Sequence, residues 1–187
     1  MKYVSIDIET TGLDPLSHDI VEFGAVLDDL SDPKPLKDRP RFHAYISEKE
    51  YVGQPYALSM HPDIFRRIAT REKGYNYISP QKLGVKFKGF LLEHGYEVKY
   101  NKITINAAGK NLAGFDNLFL KNKTDWASHI NVRARILDPA ILYYEDGDEK
   151  LPDSKLCMER AGLKGVVAHT AIEDAIMVIK LLRAKLC

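Results

Sequence analysis

The stretch Ile6-Asp7-Ile8-Glu9-Thr10-Thr11-Gly12-Leu13-Asp14 decides how the rest of the chain is read. It closes an apolar run that starts at Tyr3 and Val4, and it ends in a turn built on Thr10, Thr11 and Gly12. A strand has period two, so Asp7 and Glu9 point to the same face and emerge side by side at the strand end. Two carboxylates held together repel one another unless positive charge sits between them. A divalent cation meets that need, and oxygen-only coordination suits a hard ion.

Working outward, residues 2–9 read as a buried strand. Residues 19–29 read as a second, with Ile20, Glu22, Gly24 and Val26 on one side and Val21, Phe23, Ala25 and Leu27 on the other. Pro33, Pro35 and Pro40 mark a connecting loop, and residues 41–47 read as a third strand, so an antiparallel sheet opens the domain. Helical spacing follows. Pro62 suits a first turn ahead of Ile64, Phe65 and Ile68, and Pro80 opens a helix carrying Leu83, Phe87, Phe90 and Leu91 that stops at Gly95. The pattern then predicts a strand over 102–108, a helix over 111–121, a strand over 135–137, an acidic loop over 145–150 and a helix over 152–161. In the last helix, Thr170-x-x-Glu173 matches a capping box, with Ile172, Ala175, Ile176, Ile179, Leu182 and Leu186 as its apolar stripe. Strands followed by alternating strands and helices imply a mixed α/β sheet, whose sites collect where strand ends meet helix starts. No repeat, linker or low-complexity tract interrupts residues 1–187, so one domain is expected.

Composition bounds the function classes. At 45% hydrophobic and 28% charged, with a formal net charge of +1, the chain has an ordinary globular make-up. Residues 64–111 carry ten Lys/Arg against three Asp/Glu, which fits either a phosphate-facing surface or a solvated helix face. Tyr75, Tyr77, Phe87, Tyr96 and Tyr100 interleave with lysines there, either as a stacking surface for single strands or as core and ordinary surface groups. Cys157 and Cys187 make no metal or redox pattern, and no apolar run is long enough for a bilayer, so a cytoplasmic location without membrane contact is expected.

Two further acids and a histidine stand at comparable places. Asp116 lies on the predicted helix after a core strand. Asp174 falls in the first turn of the last helix, near the positive end of its dipole, and His169 sits just before that helix on a loop. A rigid carboxylate beside a mobile imidazole suits a metal ligand beside a proton acceptor. Four carboxylates without cysteine favour Mg²⁺ or Mn²⁺, and a pair of such ions can promote in-line phosphodiester hydrolysis by water. Gly109-Lys110-Asn111 lacks the spacing of a phosphate loop. Asp138 reads as a helix N-cap. His18, His43, His61, His94 and His129 show no paired ligand spacing, although His61-Pro62 leads into a helix that could lie near substrate.

The ordered set Asp-x-Glu-Thr-Thr-Gly-Leu, Asn-x3-Phe-Asp and His-x4-Asp resembles the DEDDh (DnaQ-like) 3′-5′ exonucleases of ribonuclease H-like fold. Each motif alone is weak; their order over residues 7–174 is specific. The resemblance implies a mixed five-stranded sheet with one antiparallel strand, flanked by helices. It implies Asp7, Glu9, Asp116 and Asp174 as ligands of two metals with Asp7 bridging, and His169 as general base. It also implies that Thr10 and Leu13 contact the 3′-terminal nucleotide. Nucleic acid with a free, single-stranded 3′ end is the implied partner, and relatives of this type form homodimers. The expected activity is metal-dependent release of nucleoside 5′-monophosphates. An oligoribonuclease-like exoribonuclease and an idle nucleic-acid-binding module of the same fold remain as alternatives. The absence of sequence beyond the last helix favours stand-alone trimming over attachment to a polymerase.

Overall fold

Alternating apolar residues build the centre of the molecule. In the computed structural model, which describes residues 1–163 and 170–187, β1 (Lys2–Thr10), β2 (Ile20–Asp29) and β3 (Arg41–Ile46) form an antiparallel meander. The β1–β2 register runs from Lys2↔Asp29 to Glu9↔Glu22 and shifts only between Glu9 and Thr10. Next come α1 (Pro55–Met60), α2 (Pro62–Thr70), β4 (Tyr77–Ile78) and α3 (Leu83–Glu93), the last entered through a 3-10 turn at Pro80–Lys82. They are followed by β5 (Val98–Lys99), β6 (Lys102–Ile105), β7 (Ala107–Ala108), α4 (Asp116–Lys123), α5 (Trp126–His129) and β8 (Ile130–Val132). A 3-10 segment at Pro139–Tyr143, α6 (Ser154–Arg160) and α7 (Ala171–Leu186) complete the described elements.

The main sheet has the order β4-β3-β2-β1-β7. β1 pairs antiparallel with β2 and parallel with β7, while β3 pairs antiparallel with β2 and parallel with β4. β2 is therefore the single antiparallel strand, and the expected mixed five-stranded sheet flanked by helices is the one observed.

Side-chain alternation sends each strand's residues to two layers. Val4, Ile6, Ile8, Phe23 and Ala25 pack on one face with Phe87 and Leu91 of α3, Phe119 of α4 and Trp126 of α5. Phe23 meets Phe87 edge-on at 5.2 Å, and Phe87 stacks on Trp126 at 5.3 Å. Phe87 is thus core, not a platform for bases. On the other face Tyr3 and Val26 pack against Ala175, Ile176, Ile179 and Leu182 of α7. Among the described residues no helix is long and apolar enough to cross a membrane.

The structure departs from the sequence reading in several places. A three-stranded sheet, β5-β6-β8, stands beside the main one. The single strand expected over 102–108 is split at Asn106: its first half pairs with β5 and β8, its second with β1. The strand expected over 135–137 contributes one parallel bridge, Ala108↔Leu137. The helix expected from residue 111 starts at Asp116, because Asn111 adopts a left-handed conformation (φ 51°) and the next residues form turns. α1 was not anticipated; it is short, and Pro55 opens it. The capping box is also not made: Thr170 is the N-cap of α7, but its hydroxyl makes no cap bond.

Candidate active site

The first strand carries its two acids to the rim of the sheet. Ile6 and Ile8 are driven into the core, so Asp7 and Glu9 must face the opposite layer, where α7 lies. α7 comes close because β2 has a glycine there. A Cβ on Gly24 would stand 2.4 Å from the carbonyl carbon of Ala171, so only glycine permits this backbone approach. Ser5 adds a hydrogen bond from its hydroxyl to the Ala175 carbonyl at 2.7 Å. Asp174 is thereby delivered to the strand end.

Carboxylate oxygens of Asp7, Glu9 and Asp174 all lie within 4.8 Å of one another, a spacing that can hold a metal ion. Asp116 stands beside this group. It is 4% exposed and lines the same cavity of about 250 Å³, together with Asp7, Glu9, Lys110, Asn111, Phe115 and Asp174. Its Oδ1 accepts the Ile8 backbone N–H at 3.1 Å, which ties the start of α4 to β1.

The electrostatics follow from this crowding. Burial pushes the Asp7 carboxyl well above the ordinary carboxylate range, and the negative charges of Asp116, Glu9 and Asp174 push it further. Burial, then Glu22, Asp174 and Asp116, raise Glu9 to about 8. Burial raises Asp116 to about 7, against the pull of backbone hydrogen bonds and Lys110. Lys110 is exposed and opposes the shift at all three acids. A cation bound among the acids would relieve this repulsion.

The turn after β1 is fixed by its own side chains. The Thr10 hydroxyl donates to the Gly12 carbonyl at 2.8 Å, and Thr11 Oγ1 accepts the Asp19 backbone N–H at 2.8 Å. A Cβ on Gly12 would meet the His18 ring at 2.6 Å. The result presents Leu13 to solvent at 73% exposure. Thr10 thus anchors the loop, and Leu13 is the side chain free to meet another molecule. His169, the expected proton acceptor, lies outside the described residues.

Three further groups stand near the site without having been assigned a role in it from sequence. His61 is 5% exposed, and its Nε2 stands 3.5 Å from Glu9 Oε2; its place just before a helix hinted at proximity and nothing more. Lys110 entered the sequence reading as part of a basic stretch and of Gly109-Lys110-Asn111, which lacks the spacing of a phosphate loop. Glu22 faces Glu9 across the β1–β2 ladder; its position on the same strand side as Gly24 was the available signal. Asp138 caps as expected, accepting from Ala140 N and Asn111 N, each at 2.9 Å.

A ribonuclease H-like sheet with acids gathered at the end of its first strand, β1, is the arrangement of a nuclease class. The chain belongs to the exonuclease family, whose RNase_T model matches residues 4–182. The fold is similar to that of Escherichia coli exonuclease I, solved in complex with a dT13 oligonucleotide, with a TM-score of 0.59 at 16% identity. That likeness covers 98% of this chain and 41% of exonuclease I, so the chain spans about two fifths of that protein. No curated protein matches the chain.

Proposed function

We propose that the chain is a metal-dependent 3′-5′ exonuclease that hydrolyses single-stranded nucleic acid to nucleoside 5′-monophosphates. The observation that carries this reading is the convergence of Asp7, Glu9 and Asp174 within 4.8 Å, from opposite ends of the sequence, in a cavity shared with Asp116. Buried acids with raised pKa values that share a cleft are a common mark of a working site.

The donors are carboxylate oxygens, which fits Mg²⁺ or Mn²⁺. Asp7, Glu9 and Asp174 would hold the ions, with Asp116 completing the set. When bound, a pair of ions supplies Lewis-acid stabilisation of the attacking and leaving oxygens. His169, directly before Thr170 and α7, serves as the base that takes the proton from the attacking water. Leu13 packs against the terminal base, on a turn that Thr10 holds in shape. Lys110 faces the cavity as a partner for a phosphate oxygen. Such contacts read backbone and chain end, not base edges, so sequence preference is weak. The exonuclease I structure contains an oligonucleotide, which supports single strands as the substrate class.

The test is direct. 5′-labelled single-stranded DNA and RNA are incubated with the protein and Mn²⁺. Stepwise shortening from the 3′ end, with mononucleotide release, is expected for at least one polymer, and shortening of neither would sink the proposal. A polymer that is bound but not shortened would be excluded as substrate.

A further inference from the structure

Glu22 is a buried acid, 1% exposed, paired with Glu9 across the β1–β2 ladder, yet it does not join the compact carboxylate group. Both of its oxygens are engaged elsewhere. Oε1 lies 2.5 Å from Nε2 of His43, on the neighbouring strand β3. Oε2 accepts the backbone N–H of Ala171 at 3.1 Å.

Ala171 is the first residue of α7, so this N–H is one of those a helix start leaves without an internal partner. The Thr170 hydroxyl makes no cap bond, and Glu22 satisfies the helix start from the sheet instead. The negative carboxylate also sits at the positive end of the helix dipole. Gly24, two residues along the same face of β2, lets the helix backbone rest on the strand. Asp174 follows Ala171 by less than one turn. Where the first turn rests on β2 therefore sets where the Asp174 carboxylate stands relative to Asp7 and Glu9.

We propose that Glu22 is a positioning residue: it pins the first turn of α7 and so holds the Asp174 carboxylate at metal-binding distance from Asp7 and Glu9. His43 in turn fixes the orientation of the Glu22 carboxylate. The two facing glutamates have separate tasks, Glu9 lining the cavity and Glu22 holding the helix. The inference rests on the reading of the carboxylates as a metal site.

The experiment measures Mn²⁺ affinity of the metal-stripped protein by titration calorimetry, alongside kcat and KM for a labelled oligonucleotide. Glu22→Ala should weaken Mn²⁺ binding by about 10–100-fold, the range typical of groups that orient ligands without touching the metal. It should lower kcat while leaving KM within about threefold. Glu22→Gln keeps an acceptor oxygen for Ala171 N–H and should recover Mn²⁺ affinity to within about threefold of wild type. A folded Glu22→Ala protein with wild-type Mn²⁺ affinity and kcat would overturn the proposal, since a purely structural role lowers the melting temperature alone. Glu22→Gln as damaged as Glu22→Ala would overturn it in favour of direct ligation. If Glu22→Ala gives no melting transition, His43→Ala carries the test: a smaller loss in the same direction supports positioning, and unchanged Mn²⁺ affinity overturns it. Wild-type protein that binds no Mn²⁺ would instead overturn the metal reading itself, so the two failures are distinguishable.

Discussion

The two ends of the β2–α7 layer treat buried acids in opposite ways. At one end Asp28 is 3% exposed and accepts hydrogen bonds from Arg183 Nη2 at 2.5 Å and Nε at 3.0 Å and from the Tyr3 hydroxyl at 2.7 Å, while Arg39 forms an ion pair with it at 2.8 Å. Burial alone would raise its pKa, but the hydrogen bonds from Arg183 and Tyr3 outweigh it and hold the carboxyl below its ordinary value. At the other end burial raises Asp7, Glu9 and Asp116, and Lys110 opposes the shift at each of them. The same helix supplies Arg183 at its last turn and Asp174 at its first. Where an acid serves the fold, the chain surrounds it with its own cations and holds it ionised; where acids gather at the strand end, burial and mutual repulsion hold their carboxyls raised.

The largest expected effect is at the unbalanced end. Asp7→Asn should abolish turnover by weakening metal binding, while the metal-free protein melts no lower than wild type because burial already disfavours the charged carboxyl. Activity within twofold of wild type would contradict the assignment. His169→Ala should lower kcat by about 10²–10⁴-fold with Mn²⁺ affinity almost unchanged, read by single-turnover kinetics and titration. At the balanced end, Arg183→Ala should destabilise the fold by about 1.5–3 kcal/mol by removing charge-assisted hydrogen bonds to Asp28, with kcat per folded molecule preserved. Urea unfolding and activity assays on the same sample separate the two; a drop in kcat without a drop in stability would erase the contrast between the ends.

The smallest effect is a pH dependence of opposite sign at the two ends. Glu9 titrates near 4.5 unfolded and about 8 folded. Between those values the folded state holds the extra proton, so this group makes the metal-free protein less stable as pH rises. The melting temperature should fall by at least ~2 °C across that window, and Mn²⁺ should reverse the fall. Asp28, with a lowered pKa, contributes stability that is present above its ordinary 3.8 and lost as pH drops below it. A metal-free melting curve flat from pH 5 to 8 would count against the raised acids.

Most of the site was legible in sequence because it depends on period-two and helix-start rules. Asp7 and Glu9 follow from strand alternation, and Asp174 from its place in a first helical turn. Glu22 was legible as a face-sharing neighbour of Gly24, but its partner Ala171 is 149 residues away, a contact that no local rule predicts. The capping box expected at Thr170 and Glu173 is not made, and the helix-start N–H of Ala171 is met by Glu22 from the sheet, a contact that sequence spacing does not encode. The fold's central meander was legible from alternation, whereas the split at Asn106 was not, since it is set by which strands each half pairs with. The late start of α4 hinges on Asn111 in a left-handed conformation, a residue type that tolerates either outcome. His61 reached Glu9 through the packing of α1 and α2, which sequence spacing does not encode.

Asp7 belongs to β1 and Asp174 to α7, so the acidic cluster exists only once these two elements, far apart in sequence, have packed together. A nascent chain emerging from the ribosome, or a fragment cut before α7, holds two of the three clustered acids and lacks the third.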